Sequence, residues 1–471
     1  MTLTIDPPTT RGATKPRVFV SAAHKSSGKT TLTLGLAAAL SARGYAVQPF
    51  KKGPDYIDPL WLGRAAGRPC YNLDFHMMTR EEIAGQFMRA AAGARVSLIE
   101  GNKGLYDGLD LDGNNSNAAL AKMLDAPVVL VIDARGMTRG VAPLLLGYQA
   151  FEPAIRIAGV ILNQVGGSRH EAKLRAVIEH YTDIEVIGAV QHDPALQIAE
   201  RHLGLVPANE QEAASARIAA VGTRVAAQVD LQRLLAIADR APALDAPVPT
   251  AESTCPSPRV RIGLARDRAF GFYYNEDLDT LRAANVELVE LDLLCTPALP
   301  ELDGLVIGGG FPEMFMDALE ANAAMRRGIR DAIGAGLPVY AECGGLMYLS
   351  RSLCYRGECR QMVGAVAGDT VMHERPVGRG YARLQPTRDA HWGECAQIPA
   401  HEFHYSSLEN LPADASYAYR VVRGHGIDGS HDGYQTHNLL AGYVHRRGSG
   451  RQGWITPFLR QVRERKIRAA A

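Results

Sequence analysis

The stretch 23–31 constrains the fold of this chain most strongly, because a Gly-Lys-Thr turn lies there between two apolar patterns. The run Val18–Val20 precedes the turn, and an Ala-rich helical pattern from Leu32 to Leu40 follows it. Backbone N–H groups of such a turn, together with the positive end of the next helix, bind phosphate. The motif G-x-x-x-x-G-K-[ST] is complete except for its first glycine, which is Ala23. The predicted ATP-binding residues are Ser27, Gly28, Lys29, Thr30 and Thr31.

Composition narrows the class of protein further. A chain of 471 residues is long enough for two or three domains. Its formal net charge of +1 gives no electrostatic reason to expect nucleic acid or a membrane surface, and no apolar run is long enough to span a bilayer. The segment 1–15 lacks the apolar region of a secretory signal. Seven cysteines without a C-x-x-C pair argue against a disulfide framework and favour a cytoplasmic protein.

Short apolar runs alternate with Ala- and Leu-rich segments between Arg17 and about Pro207. Such alternation predicts right-handed βαβ units around a parallel sheet, with ligands at the carboxyl ends of the strands. Polar residues directly after the strands are therefore candidates for the site. The predicted strands are 18–20, 46–50, 96–100, 128–132, 157–162 and 186–190.

Polar side chains follow three of these strands. Asp55 and Asp58 lie three residues apart between two prolines and beside two lysines, a pattern that suits Mg²⁺ or a charged intermediate. A solvated Asp-Pro turn is the alternative for Asp58. Glu100 ends its strand, where P-loop proteins hold a metal-ligating or water-ordering acid, and Asp107 follows a glycine-rich turn. Asn163 follows the strand 157–162, where nucleotide-binding proteins often read a base.

A second α/β pattern begins at Val260, after a Pro-rich segment (241–259) that we interpret as a linker. One strand of this pattern ends in three glycines, 308–310, which leave backbone N–H groups open to an oxyanion. Cys343 lies at a strand-to-helix turn flanked by glycine, where the helix start activates a thiolate. This arrangement predicts a cysteine nucleophile, whereas the other cysteines are interpreted as structural.

A thiol nucleophile needs a base, and His445 ends the last predicted strand. The other late candidates are His401, His404, His425, His431 and His437. On the strand that contains His401 and His404, His401 shares one face with Phe403, and His404 shares the other with Glu402. This spacing could suggest a metal pair, but no third ligand of suitable spacing follows, so we predict no metal there.

These motifs together resemble one family. The chain combines GPDYIDP and EGxxGLYDG with GGGFPE, ECGGLMYL, HEFHYS and YVH, and in this it is similar to the cobyrinic acid a,c-diamide synthases. The resemblance extends from Arg17 to Arg447. It implies an ATP- and glutamine-dependent amidase of modified tetrapyrroles. The implied fold is an α/β protein of two domains, a P-loop parallel sheet like that of dethiobiotin synthetase and a class I glutamine amidotransferase-like domain.

The predicted boundaries follow from the motifs and the linker. They are a disordered tail 1–16, a P-loop amidoligase domain 17–240, the linker 241–259, a glutamine amidotransferase domain 260–450 and a basic tail 451–471.

The resemblance also implies roles for individual residues. Cys343 attacks the carboxamide of glutamine, and His445 raises its nucleophilicity. Ammonia then passes within the protein to the N-terminal domain, where ATP activates a carboxylate as an acyl phosphate. A third glutaminase residue stays open, because Arg447 stands where the wider class has an acid. The implied oxyanion donors are Gly309, Gly310 and Gly344. The implied Mg²⁺ ligands are Thr30, Asp55 and Glu100, and Asp58 and Asp107 position the reacting carboxylate.

The substrate is the least determined part of this prediction. The resemblance leads us to expect Met where this chain has Lys103, so a different macrocycle is an alternative. Sirohaem is the leading alternative and nickel sirohydrochlorin the next. The predicted specificity residues are Tyr56, Asn102, Lys103, Tyr106 and Asn117.

Two rival functions account for only part of the chain. A P-loop ATPase switch leaves Cys343 and His445 unexplained, and a pure glutamine-hydrolysing subunit leaves the ATP motifs unexplained. The expected partners are glutamine and an acidic tetrapyrrole, with a homodimer as an open possibility.

Overall fold

The computed structural model describes residues 14–196, 198, 200–201, 204–211, 213–244, 258–390 and 397–470. The chain divides into two compact units, Met1–Thr250 and Ala251–Ala471, and the division falls inside the predicted linker. Residues 1–13 of the predicted tail and 245–257 of the linker lie outside the described residues.

The first unit alternates strands and helices, as its apolar runs predict. Its strands are β1 (Arg17–Ala22), β2 (Val47–Lys52), β3 (Tyr71–Leu73), β4 (Val96–Glu100), β5 (Val128–Asp133), β6 (Ile157–Val165), β7 (Val186–Gln191), β8 (Glu200–Arg201) and β9 (Gly204–Leu205). Its helices are α1 (Lys29–Ser41), α2 (Ile57–Ala66), α3 (Arg80–Ala90), α4 (Asn117–Met123), α5 (Val141–Phe151), α6 (Ser168–Tyr181), α7 (Ala214–Ala226) and α8 (Leu231–Asp239), with a 3₁₀ turn at Pro194–Leu196.

Seven strands form one parallel sheet in the order β3-β2-β4-β1-β5-β6-β7. The strand β1 is buried along its whole length, as expected for a sheet covered by helices on both faces. All six predicted strands are confirmed. The seventh, β3, was not predicted, because three residues carry no periodic signal. The parallel order brings the ends of β1, β2 and β4 together at one edge of the sheet.

The second unit contains more strands than helices. Its strands are β10 (Val260–Ala265), β11 (Phe270–Phe272), β12 (Val286–Leu291), β13 (Gly304–Ile307), β14 (Gly309–Gly310), β15 (Val339–Glu342), β16 (Ser352–Tyr355), β17 (Glu358–Gln361), β18 (Asp369–Met372), β19 (Gly378–Pro386), β20 (Ile398–His404), β21 (Ser406–Glu409), β22 (Ser416–Arg423), β23 (His431–Thr436), β24 (Leu439–Gly442) and β25 (His445–Arg446). Its helices are α9 (Asn275–Ala283), α10 (Met316–Ala321), α11 (Ala323–Gly334), α12 (Gly344–Leu349) and α13 (Ile455–Ala470), with a 3₁₀ turn at Pro312–Met314.

A ten-stranded sheet runs through this unit in the order β12-β10-β13-β15-β24-β23-β22-β19-β20-β25. Its first five strands are parallel and the others are antiparallel. The strand β15 lies between two parallel neighbours, so the residue that follows it emerges at the carboxyl edge of the parallel part. That residue is Cys343.

Cysteine pairing departs from the sequence-based interpretation. Cys354 and Cys359, which we interpreted as structural thiols, form a disulfide. The hairpin β16–β17 places the two residues directly opposite each other, which is the reason for the pairing. The departure concerns one local hairpin.

The prediction of a basic tail at 451–471 is corrected as well, because most of this segment forms the helix α13. This helix packs through an apolar stripe on the core beneath β10 and β13. The buried members of the stripe are Ile455, Phe458, Leu459 and Val462. Their spacing of i, i+3, i+4 and i+7 is that of an amphipathic helix. The many arginines of the segment concealed this pattern.

The packing of α13 gives a stability prediction. Phe458 is fully buried, so Phe458→Ala should lower the free energy of unfolding of the second unit by about 3–5 kcal/mol. Ile467 is 60% exposed on the same helix, and Ile467→Ala should change that free energy by less than about 0.5 kcal/mol. Urea unfolding followed by tryptophan fluorescence measures both. Equal, small effects of the two substitutions would contradict the packing of this helix.

Candidate functional site

The P-loop connects β1 to α1 in the geometry of a phosphate site. Gly28 caps α1 with a φ of 86°, a left-handed conformation that glycine adopts without strain. Ser27 Oγ donates a hydrogen bond to the carbonyl of His24 at 2.8 Å. Asn163 Nδ2 donates to the carbonyl of Ser27 at 2.9 Å. Asn163, predicted to lie near a base, therefore also shapes the P-loop.

Lys29 is the first residue of α1 and is buried. Burial lowers its pKa to about 8, although the charges of Glu100, Asp58 and Asp107 raise it. The ammonium therefore lies within a group of carboxylates at the edge of the sheet, as a residue that neutralises phosphate charge requires. Thr31 follows on the same helix and is partly buried.

Thr30 joins the P-loop to two carboxylates from other strand ends. Its Oγ1 donates to Glu100 Oε1 at 2.6 Å and lies 3.3 Å from Asp58 Oδ2. Glu100 is fully buried, and no described residue lies within hydrogen-bond distance of its Oε2. An orphaned, buried carboxylate oxygen is costly unless a cation or donor occupies the position beside it. The cluster thus has the oxygen ligands that Mg²⁺ prefers.

The structure gives the two predicted aspartates different contacts. Asp58, predicted to handle the substrate carboxylate, contacts Thr30. Asp55, predicted as a metal ligand, uses Oδ1 to accept from the backbone N–H groups of Ile57 and Asp58 at the start of α2. Burial and the charge of Asp58 raise the pKa of Asp55 to about 7. Asp58 is therefore better placed than Asp55 to serve as a metal ligand.

Lys51 is a site residue that the sequence reasoning did not single out. Its Nζ lies 2.5 Å from Asp58 Oδ2 and 2.9 Å from Glu100 Oε1, and its side chain is buried. Burial acts to lower its pKa, but the charges of Asp58 and Glu100 outweigh this and raise the pKa well above its usual value. The sequence does contain a signal for Lys51, which lies near the end of β2 and two residues before the GPDYIDP motif.

Asp107 lies in the loop after β4 and is exposed. Its Oδ2 accepts from the backbone N–H of Gly104 at 2.8 Å, which fixes the turn. Because the loop begins at Glu100, Asp107 stays on the same edge of the sheet as the P-loop. This position is compatible with contact to a substrate.

The predicted specificity residues fall into two groups. Asn117 is fully buried and donates to the carbonyl of Gly104 at 2.9 Å, so it supports the loop, and its role in reading the substrate stays a prediction. Tyr106 also has a structural contact, since its hydroxyl donates to the carbonyl of Tyr148 at 2.6 Å. Lys103 is exposed and Asn102 is partly buried, so both remain accessible.

Tyr56 and Asn102 complete the group. Tyr56 is 8% exposed and precedes α2, so only a small part of its surface can reach a ligand. Asn102 Oδ1 accepts from Lys52 Nζ at 3.4 Å. Burial lowers the pKa of Lys52 to about 8, against the charge of Asp74 that raises it. Asn102 thus joins a basic environment at the carboxyl end of β2.

The second unit contains the predicted nucleophile elbow. Cys343 has φ 48° and ψ −104°, a strained conformation for a residue with a side chain, and it caps α12. The backbone N–H of Cys343 donates to the carbonyl of Gly442 at 2.8 Å. The thiol is 7% exposed. A sharp strand-to-helix turn of this type presents a nucleophile above the sheet.

The glycines that we predicted as oxyanion donors lie against the elbow. A Cβ added to Gly344 would lie 2.9 Å from the backbone N of Gly310. A Cβ added to Gly309 would lie 2.8 Å from His445 Cε1. The absence of side chains therefore permits the close approach of these backbones, and the structure brings all three glycines together with Cys343 and His445.

His445 is buried on β25, beside the elbow. Its Nδ1 lies 3.3 Å from Glu342 Oε2, and it also hydrogen-bonds with Cys343. Burial alone would lower its pKa, but the contacts with Cys343 and Glu342 raise it to about 10. The ring stacks on His401 with 4.9 Å between centroids. A protonated imidazole at neutral pH pairs with a cysteine thiolate.

The other late histidines have different environments. His404 stacks on Tyr443, and His431 contacts Asp428 at 3.0 Å. The described residues contain no group of three or more His, Cys, Asp or Glu side chains that could hold a metal ion. A Mg²⁺ ion bound to phosphate oxygens needs only one or two carboxylates, so the cluster around Thr30 is compatible with that count.

Two domain families match the chain. The CobQ/CobB/MinD/ParA nucleotide binding domain matches residues 19–206, and the CobB/CobQ-like glutamine amidotransferase domain matches residues 261–452. A cobyrinate a,c-diamide synthase of Magnetococcus marinus is 48% identical over 456 residues, covering 96% of this chain and 98% of the relative. The chain belongs to the cobyrinate a,c-diamide synthase family.

Two further members of the family have similar coverage. The cobyrinate a,c-diamide synthase of Methanosarcina acetivorans is 43% identical over 93% of this chain and 94% of its own length. That of Archaeoglobus fulgidus is 42% identical over 91% and 94%. Membership of the cobyrinate a,c-diamide synthase family identifies the chain as a glutamine-dependent ligase with a nucleotide-binding domain. Among the described helices, none has the length and apolar character needed to cross a bilayer.

Proposed function

We propose that this enzyme amidates the a and c acetate groups of cobyrinic acid, or of its metal-free form hydrogenobyrinic acid, with ATP and glutamine. One observation carries the proposal: a single chain combines a P-loop with a buried carboxylate cluster and a Cys–His pair at a nucleophile elbow. The name of its relatives, cobyrinate a,c-diamide synthase, supports the choice of substrate. The reaction requires both parts, because a carboxylate must be activated and a nitrogen must be supplied.

Glutamine hydrolysis is assigned to the second unit. The Cys343 thiolate attacks the carboxamide carbon, and backbone N–H groups near Gly310 and Gly344 stabilise the oxyanion. His445, protonated in the resting enzyme, gives its proton to the departing ammonia. Water then cleaves the thioester to release glutamate and restore the thiolate.

Amidation is assigned to the first unit. A substrate carboxylate oxygen attacks the terminal phosphate of ATP, so that an acyl phosphate and ADP form. Ammonia then attacks the acyl carbon, the C–O bond to phosphate breaks, and an amide and inorganic phosphate are produced. Lys29 binds the terminal phosphates, and Asp107, which is exposed beside the P-loop, orients the reacting carboxylate. Repetition on the second acetate gives the diamide.

Magnesium is proposed for the cluster beside the P-loop. Thr30, Glu100 and Asp58 would hold the ion, with Asp55 close behind them, and Lys51 neutralises the remaining carboxylate charge. The orphaned Oε2 of Glu100 supports this assignment. When bound, the ion would withdraw charge from the phosphate oxygens.

Product analysis by mass spectrometry tests the proposed substrate. The enzyme is incubated with ATP, Mg²⁺ and glutamine, and cobyrinic acid, hydrogenobyrinic acid and sirohaem are offered in parallel. We expect a loss of about 2 Da overall and two amide nitrogens on a corrinoid, since each amidation exchanges OH for NH₂. Amidation of sirohaem alone would overturn the substrate assignment and make Lys103 the first residue to exchange for Met.

The charge state of the Cys–His pair gives a prediction of pH dependence. Because contacts with Cys343 and Glu342 raise the pKa of His445 to about 10, the imidazolium should persist from pH 7 to 9, and iodoacetamide should alkylate Cys343 at a nearly constant rate over that range. We expect His445→Asn to lower this rate at least ~10-fold at pH 7, because the variant has no imidazolium beside the thiol. Peptide mapping by mass spectrometry measures the rate. An unchanged profile would contradict the pairing.

A further inference from the structure

The acid that completes a Cys–His glutaminase site is missing from its usual place in this chain. The resemblance to the wider class led us to expect that acid two residues after the histidine, where this chain has Arg447. The Nε of Arg447 lies 4.0 Å from Glu276 Oε1, so this position belongs to a different buried pair. An acid that orients His445 must therefore come from elsewhere in the fold.

Glu342 lies directly before the nucleophile and is 6% exposed. Its Oε2 is the atom that lies 3.3 Å from His445 Nδ1. Its Oε1 accepts from the backbone N–H of Arg446 at 2.8 Å and from the hydroxyl of Tyr340. Both carboxylate oxygens are thus engaged, and only one of them faces the histidine.

This contact determines how the ring of His445 is used. A histidine has two ring nitrogens, and Nδ1 is occupied by Glu342. The ring also hydrogen-bonds with Cys343, and Nε2 is the nitrogen left for that contact. Glu342, His445 and Cys343 are therefore linked as the members of a catalytic triad are, in which the acid sets the tautomer and the ring orientation of the histidine.

Tyr340 holds the carboxylate of Glu342 through a hydrogen bond. Residues i and i+2 of a strand point to the same face, so Tyr340 and Glu342 of β15 lie side by side. The ring of Tyr340 stacks on Trp454 with 4.0 Å between centroids and 15° between planes. The tyrosine hydroxyl is thus held at the carboxylate by the packing of the segment that leads into α13.

Two other described neighbours of His445 have contacts of their own. They are His401, which stacks on the imidazole, and Arg446, the next residue of β25. His401 is stacked on the ring with 18° between planes, so it contacts the face of the imidazole and leaves the ring nitrogens to other partners. Arg446 directs its Nη1 to Tyr419 and cannot accept a proton.

We propose that Glu342 is the third member of the glutaminase site, a positioning residue that takes the place of the acid that the wider class has two residues after the histidine. The proposal rests on the glutaminase role of Cys343 and His445. Glu342 fixes the Nδ1 proton of His445, stabilises the imidazolium, and thereby directs Nε2 at the thiol. Tyr340 and the backbone of Arg446 hold the carboxylate in that orientation.

The test compares three variants of the full-length enzyme. Glu342→Gln keeps the shape but can donate to Nδ1 and so stabilise the wrong tautomer, and we expect a ~10²–10⁴-fold loss of glutamine-dependent kcat with little change in KM. Glu342→Asp should recover part of this loss. Glu276→Gln, the matched change at the acid beside Arg447, should leave glutamine hydrolysis within about three-fold of wild type.

Two further readouts separate positioning from a general effect on folding. Amidation driven by ammonium chloride should stay unchanged in Glu342→Gln, and the rate at which iodoacetamide alkylates Cys343 at pH 7 should fall towards that of His445→Asn. Glutamine hydrolysis within three-fold of wild type in Glu342→Gln would overturn the proposal. Loss of both glutamine- and ammonia-driven amidation would also overturn it, since the residue would then support only the fold. Failure of the proposed function is distinct, because the wild type itself would then hydrolyse no glutamine.

Discussion

Replacing Cys343 with Ser should lower glutamine-driven amidation at least ~10³-fold while ammonia-driven amidation stays within about two-fold of wild type. The reason is the division of labour between the two units. The thiolate acts only in the release of ammonia, and the P-loop unit contains the groups that activate the carboxylate. Initial rates of amide formation, with glutamine and with ammonium chloride as alternative nitrogen sources, measure both effects.

The chain offers a matched control for this substitution. Cys295 is an exposed free cysteine of the same unit, so Cys295→Ser should leave both rates unchanged. If Cys343→Ser abolished the ammonia-driven reaction as well, the two activities would depend on one site. The assignment of hydrolysis and amidation to separate units would then be wrong.

Replacing Glu100 with Gln should impair the amidation reaction and spare glutamine hydrolysis. We expect amidation to fall ~10²–10³-fold with either nitrogen source, because the cluster around Thr30 loses the charge that favours Mg²⁺ and balances Lys51. Glutamine hydrolysis in the second unit should persist. ADP release and glutamate release, followed in the same reaction mixture, distinguish the two activities.

Glu152 provides the comparison for Glu100. It forms an exposed ion pair with Lys122, a type of contact that contributes little, so Glu152→Gln should leave amidation within about two-fold of wild type. A Glu100→Gln enzyme that retained amidation would remove the carboxylate cluster from the mechanism. A parallel loss of glutamine hydrolysis would show that the substitution acts on the whole chain.

Local motifs made much of this architecture predictable from the sequence. The P-loop and the Cys343 elbow each consist of consecutive residues, and their strand–turn–helix geometry follows from glycine, apolar runs and helix starts. The strands of the first unit were predictable for the same reason, since buried parallel strands are apolar along their length. The C-terminal helix could have been predicted from its apolar spacing, which the basic residues around it obscured.

Contacts between distant segments could not be predicted in this way. Asn117 is polar and follows a polar stretch, which favours an exposed position, yet the loop after β4 folds over it and uses its amide. The choice of Asp55 or Asp58 as the metal ligand depended on which carboxylate accepts hydrogen bonds from the backbone at the start of α2. Glu342 meets His445 across 103 residues of sequence, through sheet pairing that no local pattern encodes.

The most direct test of the central claim follows atoms through the reaction. The enzyme is given ATP, Mg²⁺, glutamine labelled with ¹⁵N in its amide, and cobyrinic acid labelled with ¹⁸O in its carboxylates. We expect ¹⁵N in both new amides and one ¹⁸O in the inorganic phosphate released for each amide formed, because the acyl phosphate loses a carboxylate oxygen to phosphate. Phosphate free of ¹⁸O, together with ¹⁵N-labelled amides, would contradict activation through an acyl phosphate. Amides without ¹⁵N would contradict glutamine as the nitrogen source.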